Sequence, residues 1–142
     1  MNIRCMKSDD APAVARLCGE LGYPSEPESV SRRFAGITAA QGHGLFVATS
    51  KQGRVVGWIH IYGVRLLESD PFAEIGGLVV DTDLRGCGIG RDLMSGAEQW
   101  AQEQGYDEVR LRSNITRTQA HEFYRSLGYK AEKTSYTFRK VL

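Results

Sequence analysis

Residues 83 to 90 read DLRGCGIG, so glycine occupies every second position from Gly86 to Gly90 and arginines stand at Arg85 and Arg91. Glycines at that spacing let a backbone lie close to a ligand, and the stretch falls between an apolar run, EIGGLVV, and the amphipathic RDLMSGAEQWAQEQG. A strand, a small-residue turn and the start of a helix make an anion site, because backbone N–H groups and the positive end of the helix point at the same place. A phosphate is the obvious guest. Two common phosphate loops fail on named residues. A dinucleotide fingerprint, GxGxxG, needs glycine where Arg91 stands, and a triphosphate loop, GxxxxGK followed by Ser or Thr, meets Arg91 and Asp92 instead. Cys87, beside a helix start, has the position of a low-pKa nucleophile, but a small filler is the simpler reading and nothing else in the chain supports a covalent thiol route.

The elements that must hold this loop follow from hydrophobic spacing. NIRCM suits an opening strand, and SDDAPAVARLCGELGY a helix with Val14, Leu17, Cys18 and Leu21 on one face. After YPSEPES, a second helix runs to about Ala40 with Val30, Phe34 and Ile37 inward. GLFVATS and RVVGWIHIYGV flank KQG as a hairpin. Trp58, His60 and Tyr62 share one face of the second strand, as a substrate wall or as core packing, while His43 between Gly42 and Gly44 reads as turn chemistry. A strand around AEIGGLVV precedes the glycines, and Ile89, Leu93, Ala97, Trp100 and Ala101 stripe the following helix. DEVRLRS is a strand. NITRTQAHEFYRSLG is a helix, with Thr116 and Gln119 at capping-box spacing, and YKAEKTSYTFRKVL closes the chain as a strand or hairpin. The predicted order is β-α-α-β-β-β-α-β-α-β, an α+β fold with a mixed sheet flanked by helices, in one domain spanning 1-142.

Composition narrows the function classes. The 142 residues carry a formal charge of +1, which argues against a nucleic-acid partner, and no apolar run approaches the roughly 20 residues that cross a membrane. MNIRCMKSDD lacks the apolar core of a signal peptide, and three scattered cysteines form neither a zinc pattern nor a disulfide framework. A cytoplasmic setting without a metal is the expectation.

Arg85-Gly86-Cys87-Gly88-Ile89-Gly90, with EIGGLVVD before it and Ala120, Tyr124 and LGY on a later helix, resembles the acetyl-CoA signature of the GNAT superfamily, the GCN5-related N-acetyltransferases. The resemblance covers nearly the whole chain. It implies a mostly antiparallel central sheet and transfer of an acetyl group from acetyl-CoA to a primary amine in a ternary complex. It further implies that N–H groups from Gly86 to Arg91 hold the pyrophosphate, and that Leu78, Val79 and Val80 offer backbone to the pantetheine arm and the thioester carbonyl. By the same resemblance Tyr124 is the acid at the departing sulfur and Glu74 the base. Tyr124 alternatively completes an apolar helix face, and Glu74 is alternatively a surface carboxylate. Asn114 and His121 fall where the family meets its cofactor, or else serve a strand-to-helix turn and a helix surface. The asparagine usually found three residues before the alanine is here Arg117, which weakens any transfer of that role.

The compact N-terminal half resembles bacterial family members acting on small molecules. The resemblance builds the acceptor cleft from the first two helices, the loop LGYPSEPESV between them and the loop LLESDPF before the fourth strand, where the acidic Glu26, Glu28, Glu68 and Asp70 suit a cationic amine. The runners-up are protein N-terminal or lysine acetylation, and a non-catalytic acetyl-CoA-binding regulatory module. The resemblance also makes a homodimer an available state, through TSYTFRKV.

Overall fold

The computed structural model describes residues 1–142, which divide into two compact units, Met1–Leu111 and Arg112–Leu142. The first holds a five-stranded sheet in sequence order: β1 (Asn2–Cys5), β2 (His43–Thr49), β3 (Val55–Leu66), β4 (Ser69–Val80) and β5 (Val109–Leu111). Neighbours from β1 to β4 are antiparallel, and β4 and β5 are parallel. Helices α1 (Ala11–Glu20) and α2 (Pro27–Ala39) lie between β1 and β2 in the chain, and α3 (Ile89–Glu103) between β4 and β5.

Period-two alternation sorts β3 between two layers. Trp58 packs with the buried Val47 and Val79 against Val14 and Leu17 of α1 and Val30 of α2. On the opposite face, a Cβ added to Gly57 would meet Leu93 and Ile89 of α3. The α3 stripe is as expected from its spacing: Ile89, Leu93, Ala97 and Ala101 are buried, joined by Met94, and Trp100 is half-buried. Helix α2 buries only Val30, while Phe34 and Ile37 stay half-exposed and line a cleft of about 260 Å³ with Met6, Leu45 and Trp100.

Four local readings change. LLESDPF is not a loop before the fourth strand, because Leu66 pairs with Ser69 and the segment forms the closed end of the β3–β4 hairpin. His43 is not a turn residue, since it opens β2 opposite Tyr62. In the second unit, the helix α4 (Thr118–Ser126) starts without the expected capping box. Thr116 instead gives both its N–H and its hydroxyl to Asn114 Oδ1, at 2.9 and 2.8 Å. The expected closing strand is also not formed. Residues 129–142 have no regular secondary structure, and Tyr136 and Phe138 are 89% and 92% exposed.

Candidate active site

Strand β5 pairs with β4 only through Ala73, Glu74 and Ile75. Beyond them, from Gly76 to Val80, the outer edge of β4 has no strand partner, the kind of edge along which an extended, amide-bearing ligand can pair. The change coincides with a bulge, where His60 faces Gly77 and Ile61 faces Ile75, leaving Gly76 as the extra residue. Leu78 and Val80 are half-buried and Val79 is buried, so these three residues present backbone more than side chain. On the α1/α2 face the Trp58 ring lies so close over Gly77 that an added Cβ would come within 2.6 Å of it, and the buried Trp58 Nε1 has no hydrogen-bond partner.

The strand runs into the glycine loop through a fixed corner. Asp81 is 4% exposed. Its carboxylate accepts the Asp83 N–H at 3.1 Å and receives Arg16 at 3.2 Å and Arg54 at 3.5 Å. The Asp83 amide, with help from the two arginines, outweighs desolvation and holds Asp81 below its ordinary carboxylate range. Glu20, at the end of α1, accepts the Thr82 N–H at 3.1 Å and its hydroxyl at 3.3 Å. Sequence reading missed both contacts with α1, because Arg16 is 65 positions from Asp81 and Glu20 is 62 positions from Thr82.

Gly86 and Gly88 have φ of +84° and +86°, the left-handed region that side chains resist. A Cβ at either would meet nothing within 4 Å, so the space before the loop is open and backbone conformation alone demands glycine there. Gly88 caps α3, and the first N–H bonded back into the helix is that of Asp92, to Gly88 O. The first-turn amides of Ile89, Gly90 and Arg91 are left as donors at the positive helix end. Arg85, Cys87 and Arg91 are exposed, and Ile89 is buried as the anchor of the turn. An anionic group fits this cradle.

Glu74 is half-buried opposite Tyr62, whose hydroxyl donates to Glu74 Oε2 at 2.5 Å. Beside Tyr62 lies His60, bonded through Nε2 to His43 Nδ1 at 3.0 Å. Burial, reinforced by His43, pulls the His60 imidazole down to about 4. The alternation in β3 made the shared face of His60 and Tyr62 legible. Their partners on β2 and β4 had no signal in the sequence.

In the second unit, Tyr124 is half-buried in α4 with its ring against Phe123 and Tyr129. Burial pushes its phenol up, against a smaller opposing pull from Arg117. His121 Nε2 lies 2.8 Å from Asn114 O, so both expected cofactor residues have a use inside the turn that leads into α4.

The fold and the loop define a class, and similarity to known proteins agrees. The family model described as "Acetyltransferase (GNAT) family" matches residues 11–129, and the chain belongs to that family. It is 29% identical to an aminoglycoside N(6')-acetyltransferase type 1 of Stenotrophomonas maltophilia, over 99% of this chain and 93% of that protein. It is 37% identical to an aminoalkylphosphonate N-acetyltransferase of Salmonella typhimurium, over 65% of this chain and 59% of the relative. Among solved structures, a transcriptional regulator from Bacillus halodurans superposes with a TM-score of 0.87 at 26% identity, covering 98% of this chain and 99% of that one. The chain is thus a GNAT N-acetyltransferase with a mixed, mostly antiparallel sheet. No helix in it is long and apolar enough to cross a membrane.

Proposed function

We propose that this enzyme transfers the acetyl group of acetyl-CoA directly to a primary amine of a small molecule, within a ternary complex. The observation that carries the reading is the unpaired edge of β4 from Gly76 to Val80, which continues through Asp81 into the open, amide-lined loop. Acetyl-CoA, when bound, supplies an activated acyl thioester. Leu78, Val79 and Val80 would offer their backbone to its pantetheine arm and thioester carbonyl. The amides from Gly86 to Arg91, including those of Cys87, Ile89 and Gly90, would hold the pyrophosphate, with charge from Arg85 and Arg91.

Two proton transfers complete the chemistry. Glu74 Oε takes a proton from the acceptor nitrogen, so that the nitrogen lone pair is available as the N–C bond forms. The Tyr124 hydroxyl gives its proton to the sulfur as the C–S bond breaks. A phenol raised by burial is fully protonated at neutral pH, the state an acid needs.

A small cationic acceptor is supported by the named activities of the aminoglycoside and aminoalkylphosphonate relatives and by the exposed Glu26, Glu28, Glu68 and Asp70. Protein N-terminal or lysine acetylation is the alternative acceptor class. A second reading, an acetyl-CoA-responsive module without turnover, draws on the likeness to the Bacillus halodurans protein described as a transcriptional regulator. A cytoplasmic setting suits the three free cysteines, and the exposed Tyr136 and Phe138 support a homodimer, testable by sedimentation.

The deciding experiment follows CoA thiol release with an aminoglycoside, an aminoalkylphosphonate, a polyamine and a peptide N-terminus as acceptors. Turnover on one of the small amines, lowered at least tenfold by Glu74→Gln and by Tyr124→Phe, is the expected result. Tight acetyl-CoA binding without turnover on any of them would replace this reading with the binding module.

A further inference from the structure

We propose that Tyr62 is a positioning residue for Glu74, and that the His43–His60 pair holds Tyr62 in place, so that three strands together fix one carboxylate on the α1/α2 face of the sheet. The inference rests on the reading of Glu74 as the base.

The register builds the arrangement. His43 on β2 is directly opposite Tyr62 on β3, and Tyr62 is directly opposite Glu74 on β4, so the three side chains stand in a row on one face. His60 follows on that face two residues before Tyr62. The rings of His43, His60 and Tyr62 pack mutually, with centroids 5.2, 5.8 and 5.4 Å apart. The His43–His60 hydrogen bond pins the two imidazoles, and the tyrosine ring leans on both.

Space for this cluster comes from the bulge. A Cβ at Gly76 would lie 3.1 Å from Tyr62 Cε1 and 3.2 Å from His60 Nδ1, so the extra residue must be small for the rings to sit as they do. The Tyr62 hydroxyl then meets Glu74 at 2.5 Å, at the short end of the range for an O–H donor and a charged acceptor. A glutamate side chain with no fixed donor would spread over several rotamers, and ordering it costs up to about 2 kcal/mol. A preset phenol donor bears that cost before substrate arrives. His60, neutral at ordinary pH, offers no cation to draw the carboxylate away.

The test uses the whole chain, with the small amine that turns over fastest. Tyr62→Phe keeps the ring and removes the donor. It should lower kcat about tenfold, leave KM for acetyl-CoA within about twofold and leave Tm within about 3 °C. In the Glu74→Gln background the same change should add no further loss, because its effect passes through the carboxylate. His60→Leu should lower kcat as Tyr62→Phe does, while His60→Gln, which can still bond His43, should restore it. Proton NMR gives a readout that needs no acceptor: a low-field hydroxyl resonance present in the native chain and lost in both Tyr62→Phe and Glu74→Ala.

Failures separate. If Glu74→Gln turns over at the native rate, the base reading falls and this inference with it. If Glu74→Gln is slow but Tyr62→Phe multiplies the loss in full, or if the low-field resonance is missing from the native chain, the positioning role alone is overturned.

Discussion

The His43 and His60 imidazoles share one 3.0 Å hydrogen bond, so one ring donates and the other accepts, and both cannot be doubly protonated while it persists. His60 is held at about 4 against an ordinary 6.5. Between those values the unfolded chain binds a proton that the folded chain refuses. The stabilisation is therefore complete above pH 6.5 and is lost as the pH falls toward 4. Lowering the pH from 7.5 to 5 should cost about 1–2 kcal/mol through this residue. Urea midpoints at the two pH values check it, and His60→Gln should remove most of the difference.

Asp81 sets the corner between β4 and the glycine loop. Asp81→Asn should cost about 2 kcal/mol at pH 7, because Arg16 and Arg54 lose their shared anion and the acceptor for the Asp83 N–H is weakened. The native carboxyl lies below its ordinary value of 3.8, so its contribution is full above that pH and fades as the pH drops through the depressed value. The variant should show a flatter acid limb below about pH 4. Its KM for acetyl-CoA should rise, since Thr82–Leu84 leads directly into Arg85.

Two glycine substitutions should fail for different reasons. Gly88→Ala strains a left-handed backbone without a clash and should cost roughly 1–2 kcal/mol, with weaker acetyl-CoA binding measured by calorimetry. Gly57→Ala has no such strain, but its Cβ would sit 2.9 Å from Val79 O and 3.1 Å from Leu93 Cδ1. It should cost about 1–3 kcal/mol by overpacking, with a lowered Tm and unchanged KM for acetyl-CoA in the folded fraction.

Cys87 is an exposed loop residue. Direct transfer predicts that Cys87→Ala keeps kcat within about twofold of native. Loss of nearly all turnover, or a trapped acetyl-cysteine seen by mass spectrometry, would replace the direct route with a covalent one.

The loop and its helix were legible from the sequence because their physics is local. Alternating glycines, the apolar stripe from Ile89 to Ala101 and the strand before them lie within one short stretch, and backbone conformation and burial there answer to nearest neighbours. The same local reading went wrong where a distant strand decides. His43 looked like a turn because glycines flank it, yet pairing with Tyr62 makes it a strand residue. LLESDPF looked like a loop until Leu66 met Ser69, and the final segment alternates without forming a strand.

Residue types and spacing by themselves determined the order of elements through α4, the glycine-rich turn before α3 and the double-sided apolarity of β3, while the resemblance of the motif pointed to the family. Tertiary structure alone decided the row His43, Tyr62, Glu74 and the bulge at Gly76 that admits it. It also ended the β4–β5 pairing at Ile75 and Leu111, leaving β4 without a second strand partner from Gly76 to Val80, and brought Arg16 and Glu20 of α1 to the corner before the loop. The reason is physical. Spacing along a chain reports which face a side chain takes, whereas register across strands depends on partners dozens of residues away, and it is register that set these side chains opposite one another.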